Sequence, residues 1–221
     1  MIVEAQEEGE RSGPMDDPQY LEFLHQQYAG YLRFLDDEQY FEPQSPDAPD
    51  SYQQHLYRQL DWSEPEAGAF CWVGMPAFQP EYLLRISPTD TGYALDYTVL
   101  DHNYWETYRE GNREMMVGKT LHQAMLDTAT GLHLVAVLTQ TLTNARPPEA
   151  NIAHLDGAGY RLTGRVAGEL QTVGKQSPGP ASRAGQIILL ADLLIQQTIH
   201  PSDKLLASIR ELLQITLPNA A

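Results

Sequence analysis

His154 and Asp156 stand two residues apart in Ala-His-Leu-Asp-Gly, and in an extended segment an imidazole and a carboxylate at that spacing share one side. With His122 or His133 they would begin a metal site, but such sites need three or four convergent ligands and nothing in the local pattern brings the third. Asp156-Gly157 also reads as turn chemistry. Other chemical motifs fail on spacing. Gly118-Lys119-Thr120 has the end of a phosphate-binding loop, yet the required leading glycine would fall at Arg113. Gly157-Ala-Gly159 would need its third glycine at Leu162, and no helix start follows to receive a phosphate. Cys71, the single cysteine, lies between Phe70 and Trp72 with no cation near it in sequence, so it reads as an inert buried thiol. No Gly-x-Ser-x-Gly elbow and no His-Glu-x-x-His occurs. These observations point to no catalytic residue and no cofactor. The enzymatic alternative is a small-molecule- or metal-dependent site near His154, Asp156, His122 and Trp105.

Aromatic and charged residues say more. Tyr104, Trp105, Tyr108 and Arg109 crowd one short segment, and these residue types are favoured where one protein grips another. Tyr28 and Tyr31 lie on a second such stretch, followed by Asp36, Asp37 and Glu38; tyrosine occurs 12 times in the chain. The first 66 residues carry 16 of the 30 acids and only three bases, Arg11, Arg33 and Arg58, whereas the remainder is near neutral. A net charge of −16 works against direct contact with nucleic acid phosphates or an anionic membrane. It favours a basic protein partner, reached through carboxylates and tyrosines of the acidic third. An immunity-like or inhibitor-like binding role fits that pattern. A structural subunit that self-associates through its tyrosine-rich helix is a third reading, and the oligomeric state cannot be read from sequence.

The elements that must position these residues follow from periodicity. Residues 1–17 read as a disordered acidic tail. A helix is predicted from Pro18, with Leu21, Leu24, Tyr28, Tyr31 or Leu32, and Leu35 on one face, fraying near Asp36 because acids oppose the dipole there. A proline-rich linker over 43–49 follows. Asp50 or Ser51 then caps a short helix carrying Tyr52, Leu56 and Leu60. Residues 18–66 thus form an acidic helical extension, and 67–221 an α+β domain. Strands are predicted over 69–75, 82–87, 93–100, 120–126, 160–166 and 169–173. Helices are predicted over 128–145, capped by Asp127, over 186–198, and over 202–215, capped by Ser202 or Asp203. Residues 101–118 fit neither period. Grouped antiparallel strands with helices around them make an α+β fold, a sheet of about five to six strands with helices packed on it.

Leu155-Asp156-Gly157-Ala-Gly-Tyr160, a strand pair, Ser177-Pro178 and a long apolar helix together resemble a group of small uncharacterised bacterial proteins. Their C-terminal halves carry an Asp-Gly-x-x-aromatic turn, a strand pair, an aromatic-Ser-Pro element and a closing helix. The resemblance covers about residues 69–199 and departs at Gln176, where the group has an aromatic. It implies the α+β fold and no activity. The N-terminus has neither a basic start nor an apolar core, and the longest apolar run, Ile187 to Ile195, is interrupted by Asp192. A lone cysteine fits a reducing compartment, and the expectation is a cytoplasmic protein.

Overall fold

The computed structural model describes residues 18–45, 50–149 and 157–216. His154, Asp156 and the acidic tail over 1–17 lie outside the described residues. The chain forms an α+β fold with one seven-stranded antiparallel sheet. Its elements run α1 (Pro18–Asp37), β1 (Glu42–Gln44), α2 (Ser51–Gln59), β2 (Phe70–Met75), β3 (Tyr82–Thr89), β4 (Gly92–Leu100) and α3 (Tyr104–Arg109). Then follow β5 (Lys119–Asp127), α4 (Thr128–Thr143), β6 (Gly159–Val166), β7 (Glu169–Gln176), α5 (Arg183–Ile199) and α6 (Asp203–Thr216). Strands lie side by side in the order β1-β7-β6-β2-β3-β4-β5.

Because side chains alternate across a strand, β2 divides its residues between two layers. Phe70 and Trp72 join the large core under α4, α5 and α6, with Leu84, Leu95, Leu134, Leu162 and Leu194. Cys71 and Val73 face the other way, into a smaller core with Leu56 and Leu60 of the α2 segment and Tyr104 of α3. A strand covered on both faces has no polar alternation, which is why Phe-Cys-Trp-Val reads as a continuous apolar run. Gly131 weakens α4 intrinsically by about 1 kcal/mol relative to alanine. It is placed where the Tyr93 ring packs on the helix backbone, 1.9 Å from where a Cβ would stand. The β6–β7 hairpin turns on Ala167 and Gly168, both at positive φ (51° and 88°), the type I′ geometry that matches strand twist.

Several boundaries differ from the sequence expectation. The seventh strand is β1, in the first part of what reads as a proline-rich linker. It pairs antiparallel with β7, Pro43 opposite Val173. Proline is tolerated there because β1 is an edge strand. The acidic segment is therefore not an extension along its whole length. Phe41 is 2% exposed and meets Trp72 edge-on at 5.9 Å, while Leu56 and Leu60 are fully buried. Residues 104–109, which fit neither period, are helical. The helix α5 begins three residues early because the Ser182 hydroxyl accepts from Gly185 N–H.

A cleft walled by aromatic side chains

The thinner face of the sheet carries the site. Helix α2 starts at Asp50, whose carboxylate accepts from Gln53 N–H, and lays Tyr52 against three rings of α3. Tyr52 meets Trp105 edge-on at 5.0 Å, Tyr108 edge-on at 5.3 Å and Tyr104 in a stack at 6.1 Å. Trp105 and Tyr108 stack at 6.0 Å. The Tyr108 hydroxyl is 2.7 Å from the Ser51 hydroxyl, and the Arg113 guanidinium lies 4.8 Å above its ring. Pairs of this kind contribute about 0.5–1.5 kcal/mol each beyond the area they bury.

Glu81 ties the cluster together. Its carboxylate is 1% exposed. It accepts from Tyr104 N–H at 2.7 Å, Trp105 N–H at 2.9 Å and the Tyr52 hydroxyl. It thereby satisfies two backbone donors at the start of α3, which a helix cannot satisfy internally. Burial, and then the Glu81 charge, hold the Tyr52 hydroxyl well above the usual phenol range, so it stays a neutral donor. Asn103 does a second joining job. Its side-chain oxygen caps α3 through Glu106 N–H, and its amide donates to Ala77 and Gln79 carbonyls of the β2–β3 loop.

Between that loop and α3 opens a cleft of about 410 Å³, lined by Tyr52, Met75, Phe78, Trp105, Glu106 and Arg109 among others. The volume lies in the range of pockets that take an organic group of ligand size, about 300–1,000 Å³. Phe78, at the loop tip, is 85% exposed, and Trp105 is 41% exposed. Glu106 and Arg109 of α3 form no ion pair among the described residues. Further along the same face of β6, Arg161 is 6% exposed. It donates to Gln53 and to the Ser45 carbonyl, with no carboxylate partner among the described residues. The cleft thus mixes aromatic and apolar walls with polar groups, Glu106 and Arg109 on the helical side and Gln176 at the end of β7.

The residues singled out in the sequence separate into two places. Trp105 and Arg109 line the cleft, Tyr108 is half-buried against Tyr52, and Tyr104 is a core residue whose hydroxyl donates to the Arg113 carbonyl. Tyr28 and Tyr31 are exposed on α1, at 62% and 55%. Asp36, Asp37 and Glu38 each engage a distant part of their own chain, Asp36 while its side chain stays 55% exposed. Asp36 pairs with Arg146, Asp37 accepts at 3.0 Å from Glu149 N–H, and Glu38 accepts at 2.9 Å from Gly179 N–H. The buried Lys175 ammonium donates to the Asp37 carbonyl and to Glu42. Asp36 and Glu42 sit beside cations, and Asp37 and Glu38 beside backbone donors, that lie more than 100 residues away in the chain, a relation charge counting does not reveal.

His122 and Trp105 do not converge either. His122 stacks on Tyr97 in the layer of the large core, and Trp105 stands on the opposite face. Among the described residues no three His, Cys, Asp or Glu side chains gather as a metal would require. Cys71 is fully buried, and burial pushes its thiol up to about 11. Tyr52 was legible as one face of a helix, but Phe78, Glu81 and Asn103 went unread. Asn103-x-x-Glu106 is a helix-start signal that could have found α3. Among the described residues no helix is long and apolar enough to cross a membrane. No protein-family model, curated protein or solved structure matches the chain.

Proposed function

We propose that this protein is a non-enzymatic binding module that holds another protein at the aromatic cleft. The observation that supports this most is Phe78, presented at 85% exposure on a loop that Asn103 fastens to α3, facing Trp105 across a cleft. Exposing a large ring costs solvation free energy, about 1.5–3 kcal/mol against burying it. A wall of exposed aromatics beside Glu106 and Arg109, which form no ion pair among the described residues, suits an apolar anchor with flanking charges. The net charge of −16 favours a basic partner by steering its approach. Asp36 contributes less to that field, since its charge is partly offset by Arg146 of the same chain.

The test is capture from native lysate with wild-type chain and with the Phe78→Ala/Trp105→Ala variant, at low and moderate salt, quantified by mass spectrometry. A basic protein retained by the wild type and lost from the variant supports the reading. Equal capture by both contradicts it.

A further inference from the structure

The two edges of the sheet are finished differently. β1 is three residues long, contains Pro43 and carries Glu42, the usual ways of blunting an edge. β5 is nine residues long and pairs with β4 without a bulge from Lys119 opposite Leu100 to Asp127 opposite Gly92. No backbone hydrogen bond reaches its outer side among the described residues. Leu121 and Met125 project from it at 57% and 52% exposure, on the thin face. Between its charged ends the strand reads Thr-Leu-His-Gln-Ala-Met-Leu, with no lysine, glutamate or proline to guard it.

We infer that a second copy of this chain docks on that edge, β5 against β5, antiparallel about a twofold axis through Gln123. This is the register in which the strand is self-complementary over its whole length. Lys119 meets Asp127 of the second copy, Leu121 meets Met125, His122 meets Ala124, and Gln123 meets itself. A centre at His122 sets Lys119 against Met125, and a centre at Ala124 sets Leu121 against Asp127. A shift by one residue turns the apolar pair to the wrong face. At each end Lys119 already pairs with Asp61, and Asp127 with Arg210 at 2.8 Å. The junction therefore joins two cations to two anions, with balanced charge. The Gln123 amide is held toward β4 by Asp96 at 2.6 Å. This is an isologous contact of the strand-addition type. It continues the sheet across both copies, and the axis, perpendicular to the sheet, leaves both clefts on one side. The module would then be bivalent, which raises avidity without new contacts.

Light scattering on the full chain, with three edge variants, tests the pairing. The wild type is expected at twice the chain mass. Gln123→Lys, which sets like charges face to face, is expected to halve it. An equal mixture of Gln123→Lys and Gln123→Glu is expected to restore it. Gln123→Cys is expected to cross-link on mild oxidation, since opposed residues sit about 4.5–5.5 Å apart and Cys71 is inaccessible. A monomeric wild type whose Gln123→Cys variant stays uncross-linked overturns the pairing. So does a dimer whose mass Gln123→Lys leaves unchanged, which would move the contact elsewhere, α1 included. Neither result bears on the cleft, which is read by partner capture.

Discussion

On one face of the sheet α4, α5 and α6 bury Trp72, Leu84, Leu134 and Leu162 in a continuous core; on the other, α2 and α3 cover only the middle. The same strands serve both. What differs is how much helix lies over them and what holds that helix down. The thick face is held by apolar burial. The thin face is held by rings and by a few buried hydrogen bonds, chief among them those to Glu81, and it leaves Phe78 and Trp105 at its rim. An exposed aromatic is informative where the layer beneath it is fixed, and Glu81 and Asn103 fix this one.

Truncation should separate the faces. Trp72→Ala, in the thick layer, is expected to cost about 3–5 kcal/mol of unfolding free energy, read by denaturant titration. If it costs no more than a surface substitution, the thick face does not carry the fold. Glu81→Ala leaves two backbone donors and the Tyr52 hydroxyl unpaired in a buried site. It is expected to cost about 2–3 kcal/mol and to make Trp105 fluorescence more open to quenching, while Trp72 stays shielded. A loss of stability with unchanged quenching would show that Glu81 does not hold the rim.

Asp127 is a smaller test on the thick side. Hydrogen bonds from the Thr130 side chain and N–H, and then Arg210, hold its carboxyl well below the usual carboxylate range. A depressed acid stabilises the fold above its unfolded pKa, about 4, and that stability drains as pH falls from there through the folded value. Asp127→Ala is expected to cost about 1 kcal/mol at neutral pH, as loss of a helix cap does. The gap to wild type should narrow below about pH 4; a gap that holds constant to lower pH would remove the carboxylate from the account. Phe78→Ala should be smallest in stability, within about 0.5 kcal/mol, because the ring is already in water. A larger cost would mean Phe78 supports the fold rather than a partner.

Much of the thick face was legible in sequence, and the thin face much less so. The alternation Tyr93, Leu95, Tyr97 marked β4, and Asp127 before Thr128 marked the start of α4, since both signals are local. β1 escaped because Pro43 reads as a breaker, and only pairing with β7 makes it a strand. Asp36 read as a free carboxylate because Arg146 is 110 positions away. The cleft joins residues from α2, the β2–β3 loop and α3, so no spacing announces it. Trp105 and Arg109 were found by composition. Phe78 sits in a proline-flanked turn with no period, and Glu81 is one acid before an apolar run, with nothing local to set it apart.

On the proposed reading the partner meets the rim of the thin face and not the tyrosines of α1. Replacing Phe78 in the full chain by a photo-cross-linking phenylalanine analogue, and in a parallel protein Tyr31, tests it in living cells. A discrete adduct with one basic protein is expected from position 78, abolished by Trp105→Ala, and none of that species from position 31. An adduct from position 31 alone, or no protein adduct from position 78, would contradict it.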